Sequence, residues 1–375
     1  MPSDLFERDF RAPAGADRLI GAIRQTAGAL LQKTGRPGPL RFMEVCGTHT
    51  MAIARAGLRG LLAPQVQLLS GPGCPVCVTP AGSIDAALAL SARPGVVLAS
   101  YGDLLRVPGS RPGDTLLRRR ALGAAVQTVY SPVEAVELAV ARPDRQVVFL
   151  AVGFETTAPG TAAALLDAAA RRLPNFTLLC LLKRTEPALR ALLAAPDFRV
   201  DGFLCPGHVA AITGADAFGF LPRDYGLPAV VAGFEPADIL YAVYCLVRQL
   251  AEGRPALYNE YTRLVPAGPN AAARAAVDRV FAPVQGLWRG LGVIPQSGLA
   301  LQPAYAGFDA ARRFGLAPGP GREPPGCRCG AVLRGAAEPA DCPLFGGACT
   351  PADPVGPCMV SGEGACAAAY RYRSV

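Results

Sequence analysis

Eight times between residues 42 and 232, a short apolar run gives way to a glycine-rich or polar loop and then to an alanine- and leucine-rich stretch. The runs lie at 42–45, 66–69, 96–99, 126–130, 147–152, 176–182, 202–204 and 229–232. Continuously apolar strands that alternate with helices call for parallel sheets covered on both faces. Eight units would close one barrel or build two smaller doubly wound domains. The reading favoured here is α/β, with two small doubly wound parallel-sheet (Rossmann-like) domains and a C-terminal helical, cysteine-rich module. The expected boundaries are an N-terminal helical segment at 1–39 with its helix at 15–33, α/β domain I at 40–145, α/β domain II at 146–235, and a C-terminal domain at 236–375. The Pro- and Gly-rich stretch 318–326 reads as a linker to a separate cysteine-rich module.

Composition removes several function classes. Of 375 residues, 51% are hydrophobic and 18% charged, which excludes a disordered chain. The net charge of +8 invites a nucleic-acid reading. However, the arginines are scattered, with Arg118, Arg119 and Arg120 the only run of three, and no aromatic residues are interleaved with them. No nucleic acid is expected. The apolar stretch 239–247 is too short to span a bilayer, so no membrane is expected either. The first residues hold no apolar signal core, which points to a soluble, cytoplasmic protein. No P-loop pattern occurs, since Lys33-Thr34 is preceded by Gln32, and a nucleotide-using enzyme is disfavoured.

Twelve cysteines in a reducing compartment are metal ligands or redox groups rather than a disulfide framework. Several chemistry-bearing residues fall just after the apolar runs, where α/β folds place their ligands. Cys46-Gly-Thr-His49 puts a thiol near an imidazole, fit for metal binding or thiol activation, or else is a turn capped by Thr48. Cys74-Pro-Val-Cys77 is a redox dithiol or half a zinc site, and a following helix N-terminus would lower one thiol pKa. The glycines before it make no dinucleotide fingerprint, because Val76 stands where the third glycine belongs. Asp103, Glu155, His208 and the Gly233-Phe-Glu235 loop end other runs. Cys180 and Cys245 read as core residues. In the tail, Cys327, Cys329, Cys342, Cys349, Cys358 and Cys366 suit zinc or an iron–sulfur cluster. Their wide, unpaired spacing favours the cluster, with two thiols left over.

Taken together, Cys46-Gly-Thr-His49, Gly71-Pro-Gly-Cys-Pro-Val-Cys77, Gly153-Phe-Glu-Thr-Thr157, Cys205-Pro-Gly-His208 and Cys358-Met-Val-Ser-Gly-Glu-Gly-Ala-Cys366 resemble the HypD family of hydrogenase maturation proteins, in register from about residue 40 onward. Gly362 stands where a serine is expected. The resemblance implies [NiFe]-hydrogenase maturation: a scaffold that, with a HypC-like chaperone in stable complex, holds an iron while cyanide and carbon monoxide ligands are attached. A HypE-like cyanide donor docks transiently, and the hydrogenase large subunit is served indirectly. It also implies a [4Fe-4S] cluster on Cys327, Cys342, Cys349 and Cys366, a thiol–disulfide pair at Cys329 and Cys358, and a second dithiol at Cys74 and Cys77. Cys46 is then the thiolate that holds the iron, with His49 and Asp103 nearby, and Glu155, His208 and Glu363 complete the implied site. A free-standing cluster-dependent disulfide reductase is the alternative.

Overall fold

A computed structural model describes residues 13–196 and 198–372. Along the chain run α1 (Pro13–Thr34), β1 (Leu40–Glu44), α2 (Gly47–Arg55), β2 (Val66–Ser70), α3 (Ala81–Ser91), β3 (Val96–Ser100), β4 (Val126–Thr128), α4 (Pro132–Ala141) and β5 (Gln146–Gly153). Then follow α5 (Ala158–Ala170), β6 (Phe176–Leu182), α6 (Thr185–Leu193), β7 (Gly202–Pro206), α7 (Gly207–Thr213), β8 (Ala229–Ala232), α8 (Pro236–Glu252) and β9 (Leu257–Asn259). The remainder holds α9 (Ala271–Val280), a hairpin of β10 (Phe281–Trp288) and β11 (Gly292–Leu301), and the short helices α10 (Cys329–Leu333), α11 (Pro357–Val360) and α12 (Ala365–Arg371). Other short helical turns are left unlabelled. All eight apolar runs are strands, and the fold is α/β with two open parallel sheets. No helix among the described residues is long and apolar enough to cross a membrane.

The chain divides into two compact units. Among the described residues, the first contains 13–73, 196, 198–270 and 371–372. Its five parallel strands run in the order β2-β1-β7-β8-β9. Leu40 and Phe42 of β1 and Val66 and Leu68 of β2 pack with Ile23 of α1 and Ile239 and Val243 of α8 in one core. Connections leave β1 toward β2 and leave β7 toward β8, so the sheet has its switch point between β1 and β7. Crevices for ligands open at such points, outside the strands' carboxyl ends.

The second unit contains residues 74–195 and 271–370, with parallel strands in the order β4-β3-β5-β6. Alternation along β5 explains its apolar sequence. Val147, Phe149 and Ala151 enter one core and Val148, Leu150 and Val152 the other, so neither face can carry a polar side chain. A fully buried side chain such as Phe149 contributes roughly 1.5–3 kcal/mol. The switch point here lies between β3 and β5.

Two expectations are corrected. The sheets do not follow a division at residue 145: each draws strands from both sides of it, because β7 pairs with β1 and β5 with β3. The stretch 318–326 is no free linker. Its Pro320 carbonyl accepts from Gly82 N–H at the start of α3 at 3.2 Å, and the cysteines beyond it belong to the second unit. The hairpin β10–β11 was not expected at all.

Candidate functional site

The first unit gathers Cys46, His49 and His208 at its switch point. Cys46 is the residue before α2, and it, not Thr48, occupies the cap position. Gly73 lies against it: its carbonyl accepts from Gly47 N–H at 3.1 Å, and a Cβ on Gly73 would stand 2.2 Å from Cys46 N. The Gly-Pro-Gly loop is therefore a packing surface for the Cys46 turn rather than a phosphate cradle. Glu44 ends β1 fully buried. Its carboxylate accepts from Cys46 N–H at 3.1 Å and from the Thr50 hydroxyl at 2.5 Å. Burial pushes its pKa up to about 7 against those hydrogen bonds.

His49 is fully buried, and its Nε2 donates to the Gly233 carbonyl at 2.8 Å. Burial lowers its pKa to about 4, so the ring is neutral, and Nδ1 has no partner among the described residues. Phe234 joins the two histidines, with ring centroids 4.6 Å from His49 and 3.9 Å from His208. Behind Gly233, whose N–H donates to Glu260 at 3.1 Å, buried Asp238 takes a 2.6 Å bond from Arg263. A cleft of about 440 Å³ opens beside α2, walled by Thr48, Arg55, Phe234, Glu235, Tyr261 and Arg263 among others.

The second unit gathers the remaining expected residues, Glu155 excepted, around thiols. Cys74, Cys77, Cys329 and Cys358 share one buried cluster with Phe154 and Trp288. Cys77 N–H donates to Cys74 Sγ at 3.2 Å, Cys77 also hydrogen-bonds Cys358, and Cys358 Sγ lies 2.7 Å from Cys329 Sγ. The four sulfurs form an unbroken chain. Cys358 also hydrogen-bonds Cys366.

The two thiols of the Cys-x-x-Cys differ sharply. Burial and the neighbouring Cys77 hold Cys74 well above the ordinary thiol range. Burial pushes Cys77 up as well, but hydrogen bonds with Cys358 and Cys74 and the charge of Arg289 outweigh it and bring it down to about 6. The expected helix N-terminus is not the cause, since α3 begins only at Ala81. Arg289, at the hairpin turn, is itself buried. Its backbone N–H and its Nε donate to the carbonyls of Val78 and Thr79 at 2.8 and 2.9 Å, and it pairs with Glu323.

Asp103 is hydrogen-bonded by Ser361 Oγ at 3.3 Å. Glu363 N–H donates to the same Oγ at 3.2 Å, and the Glu363 charge acts on Cys77. The Glu155 carboxylate accepts from Thr185 N–H and Oγ1, both at 2.7 Å, and holds the first turn of α6. Burial raises its pKa. Cys180 and Cys245 lie in the cores, as expected.

Among the described residues no three His, Cys, Asp or Glu side chains converge on a point suited to one metal ion. Cys327, Cys342, Cys349 and Cys366 instead line the wall of one cavity, with Cys329, Cys358, Leu344, Phe345 and Met359. Burial and the neighbouring thiols raise Cys327 to about 12, and burial raises Cys349. Val355 N–H donates to Cys349 Sγ at 3.3 Å, and backbone N–H groups of Gly356 and Cys329 serve Cys349 and Cys327. Four thiols lining one cavity, two of them served by amide donors, are a donor set that fits an iron–sulfur cluster.

A family model for HypD, described as "Hydrogenase formation hypA family", matches residues 21–373. The chain belongs to the HypD family. It is 50% identical over 355 residues to the hydrogenase maturation factor HypD of Azotobacter vinelandii, covering 93% of each chain. To the hydrogenase maturation factor HypD of Escherichia coli (strain K12) it is 46% identical over 370 residues, 98% of each. A Rhodobacter capsulatus HypD is 44% identical over 375 residues.

Within this HypD-family chain, sequence reasoning missed Glu44, Ser361, Arg289 and Lys183. Glu44 had a signal, a lone carboxylate inside an apolar strand. Ser361 had a weaker signal, its place in the motif between Cys358 and Cys366. Arg289 depends on the unexpected hairpin. Lys183 is 5% exposed; its Nζ donates to the Leu287 carbonyl at 2.8 Å and lies 5.4 Å from the Trp288 ring centroid.

Proposed function

We propose that this chain is a hydrogenase maturation factor that holds an iron as its cargo on Cys46 while cyanide and carbon monoxide ligands are attached. A HypC-like chaperone supplies the stable partner and a HypE-like protein the cyanide. A soft thiolate suits iron that carries strong-field ligands. The unpartnered Nδ1 of His49 is a second donor of fixed tautomer, because Nε2 is committed to Gly233. Glu44 holds the turn that carries Cys46 through its N–H.

The second unit supplies electrons. Cys327, Cys342, Cys349 and Cys366 would hold a [4Fe-4S] cluster, which when bound furnishes one-electron redox chemistry. The observation that carries this reading is the four-sulfur chain Cys74–Cys77–Cys358–Cys329 beside those ligands. Cys77, with its lowered pKa and its contact to Cys358, is the attacking and leaving thiol of exchange between the two pairs. Ser361 hydrogen-bonds Cys74 and Asp103, and the Glu363 charge acts on Cys77.

The test is Cys46→Ala in the full-length protein, produced with its HypC-like partner. The complex should lose the cyanide and carbonyl infrared bands and hydrogenase maturation, while the brown chromophore of the second unit persists. A Cys46→Ala complex that keeps those bands would place the cargo elsewhere. A wild-type complex that never shows them, yet reduces disulfides, would favour a cluster-dependent disulfide reductase.

A further inference from the structure

In the Cys-x-x-Cys, hydrogen bonds with Cys358 and Cys74 and the charge of Arg289 make Cys77 the more acidic thiol, whereas burial and its neighbour hold Cys74, 3% exposed, well above the ordinary thiol range. Exchange between the two dithiols cannot finish unless the Cys74 proton moves. When Cys358 attacks Cys77 of a Cys74–Cys77 disulfide, the Cys77–Cys358 bond forms and the Cys74–Cys77 bond breaks. Cys74 departs with the electron pair into an apolar pocket, where it must be protonated. Cys329 then attacks Cys358 and releases Cys77, which leaves as a stable thiolate. The Cys74–Cys77 pair gains two electrons and the Cys329–Cys358 pair loses two; the attacking thiols Cys358 and Cys329 release one proton each, one equivalent is taken up by Cys74 and the other leaves to solvent, and no outside oxidant or reductant enters. The reverse sequence asks Cys74 to give up the same proton.

Besides its partner Cys77, a polar side chain, that of Ser361, hydrogen-bonds the Cys74 thiol. Ser361 is 1% exposed, and its hydroxyl meets the Cys74 sulfur. The same Oγ donates to Asp103 Oδ2 at 3.3 Å and accepts from Glu363 N–H at 3.2 Å, which fixes where it points. Asp103 is solvent-exposed, in the short helical turn after β3. Thiol, hydroxyl and carboxylate thus make a continuous line from a buried sulfur to water. The charge of Arg289 acts on Cys77, the other thiol of the pair.

We propose that Ser361 and Asp103 form the proton path of Cys74: Ser361 is a catalytic residue that passes the proton, and Asp103 a positioning residue that orients the hydroxyl and exchanges the proton with solvent. The inference rests on the dithiol exchange proposed above and adds the step that makes it complete. The Asp103 role departs from the expected one beside Cys46.

The test is a redox jump on the anaerobic full-length protein, from oxidised to reduced dithiothreitol, with acid quenching, alkylation and mass spectrometry of each cysteine pair. Ser361→Ala and Asp103→Asn should slow relaxation of the Cys74–Cys77 pair about tenfold and leave that of Cys329–Cys358 unchanged. Ser361→Thr and Asp103→Glu, which keep the hydroxyl and the carboxylate, should restore the rate. Wild-type relaxation in Ser361→Ala, or equal slowing in Ser361→Ala and Ser361→Thr, would overturn the path. The exchange reading is tested separately with Cys329→Ser, which should trap a Cys77–Cys358 mixed disulfide. If no mixed disulfide forms while the Ser361→Ala effect persists, the exchange reading fails and the proton path stands.

Discussion

His49 gives its Nε2 proton to the carbonyl of Gly233 at 2.8 Å, and this one bond decides which nitrogen it can offer to anything else. A carbonyl only accepts, so the proton is on Nε2 and the lone pair on Nδ1. The chain has only two histidines, His49 and His208, which makes the claim directly measurable. Nitrogen-15 histidine labelling and long-range proton–nitrogen spectra of the metal-free protein should show one ring locked in the Nε2–H form at pH 6 to 8. Replacement of His208 by Asn assigns it. An Nδ1–H signal from His49 would remove it as the second iron donor.

Gly73 touches the Cys46 backbone closely enough that any side chain must displace it. Gly73→Ala should destabilise the first unit by about 2 kcal/mol or more, since a Cβ 2.2 Å from Cys46 N cannot be relieved by rotamer change. Urea unfolding followed by circular dichroism measures the loss. Hydrogenase maturation should fall with it, and a fully active, equally stable Gly73→Ala protein would contradict the packing role.

The cavity cysteines should separate cleanly from the Cys-x-x-Cys in visible absorption. Cys342→Ala or Cys349→Ala should bleach the anaerobically purified protein, and iron and sulfide analysis should drop in step. Cys74→Ala and Cys77→Ala should leave the colour intact. A colourless, zinc-containing wild type would refute the iron–sulfur assignment.

Burial lowers the Lys183 pKa from 10.5 to about 8. Between these values the unfolded chain holds a proton that the folded chain does not, so stability from this group rises with pH across that window. The charged form at neutral pH therefore costs about 3 kcal/mol. Relative to Lys183→Met, wild type should gain stability by up to about that amount between pH 7 and 10.5, read from paired urea titrations. A constant difference would mean that Lys183 keeps an ordinary pKa.

The strands were legible because burial on both faces leaves no room for polar residues: Val147 to Val152 announces β5 through composition alone. Sheet membership was not legible. Nothing in the apolar run at 202–204 says that it will pair with β1 rather than β6, since parallel pairing carries no local sequence mark. The hairpin was hidden by Pro283, Gly286, Pro295 and Gly298, which break the alternating pattern that signals a strand. Cys46 and His49 could be placed at a strand end by counting. The Glu44 and Ser361 contacts could not, because hydrogen-bond partners far apart in sequence are fixed only by packing.

The order β2-β1-β7-β8-β9 has a consequence for biosynthesis. β2 and β7 are separated by about 130 residues, nearly all of which belong to the second unit. On the ribosome, β1 and β2 emerge with one edge lacking its neighbour, and it stays unpaired until the inserted sheet and its helices have been translated. At typical elongation speeds that wait lasts on the order of ten seconds. During it the apolar faces of β1 and α1 are exposed to chaperones, and the Cys46 turn has no opposing histidine loop. The pairing of the Cys46–His49 turn with its Gly233 partner is thus withheld until translation has passed Gly233.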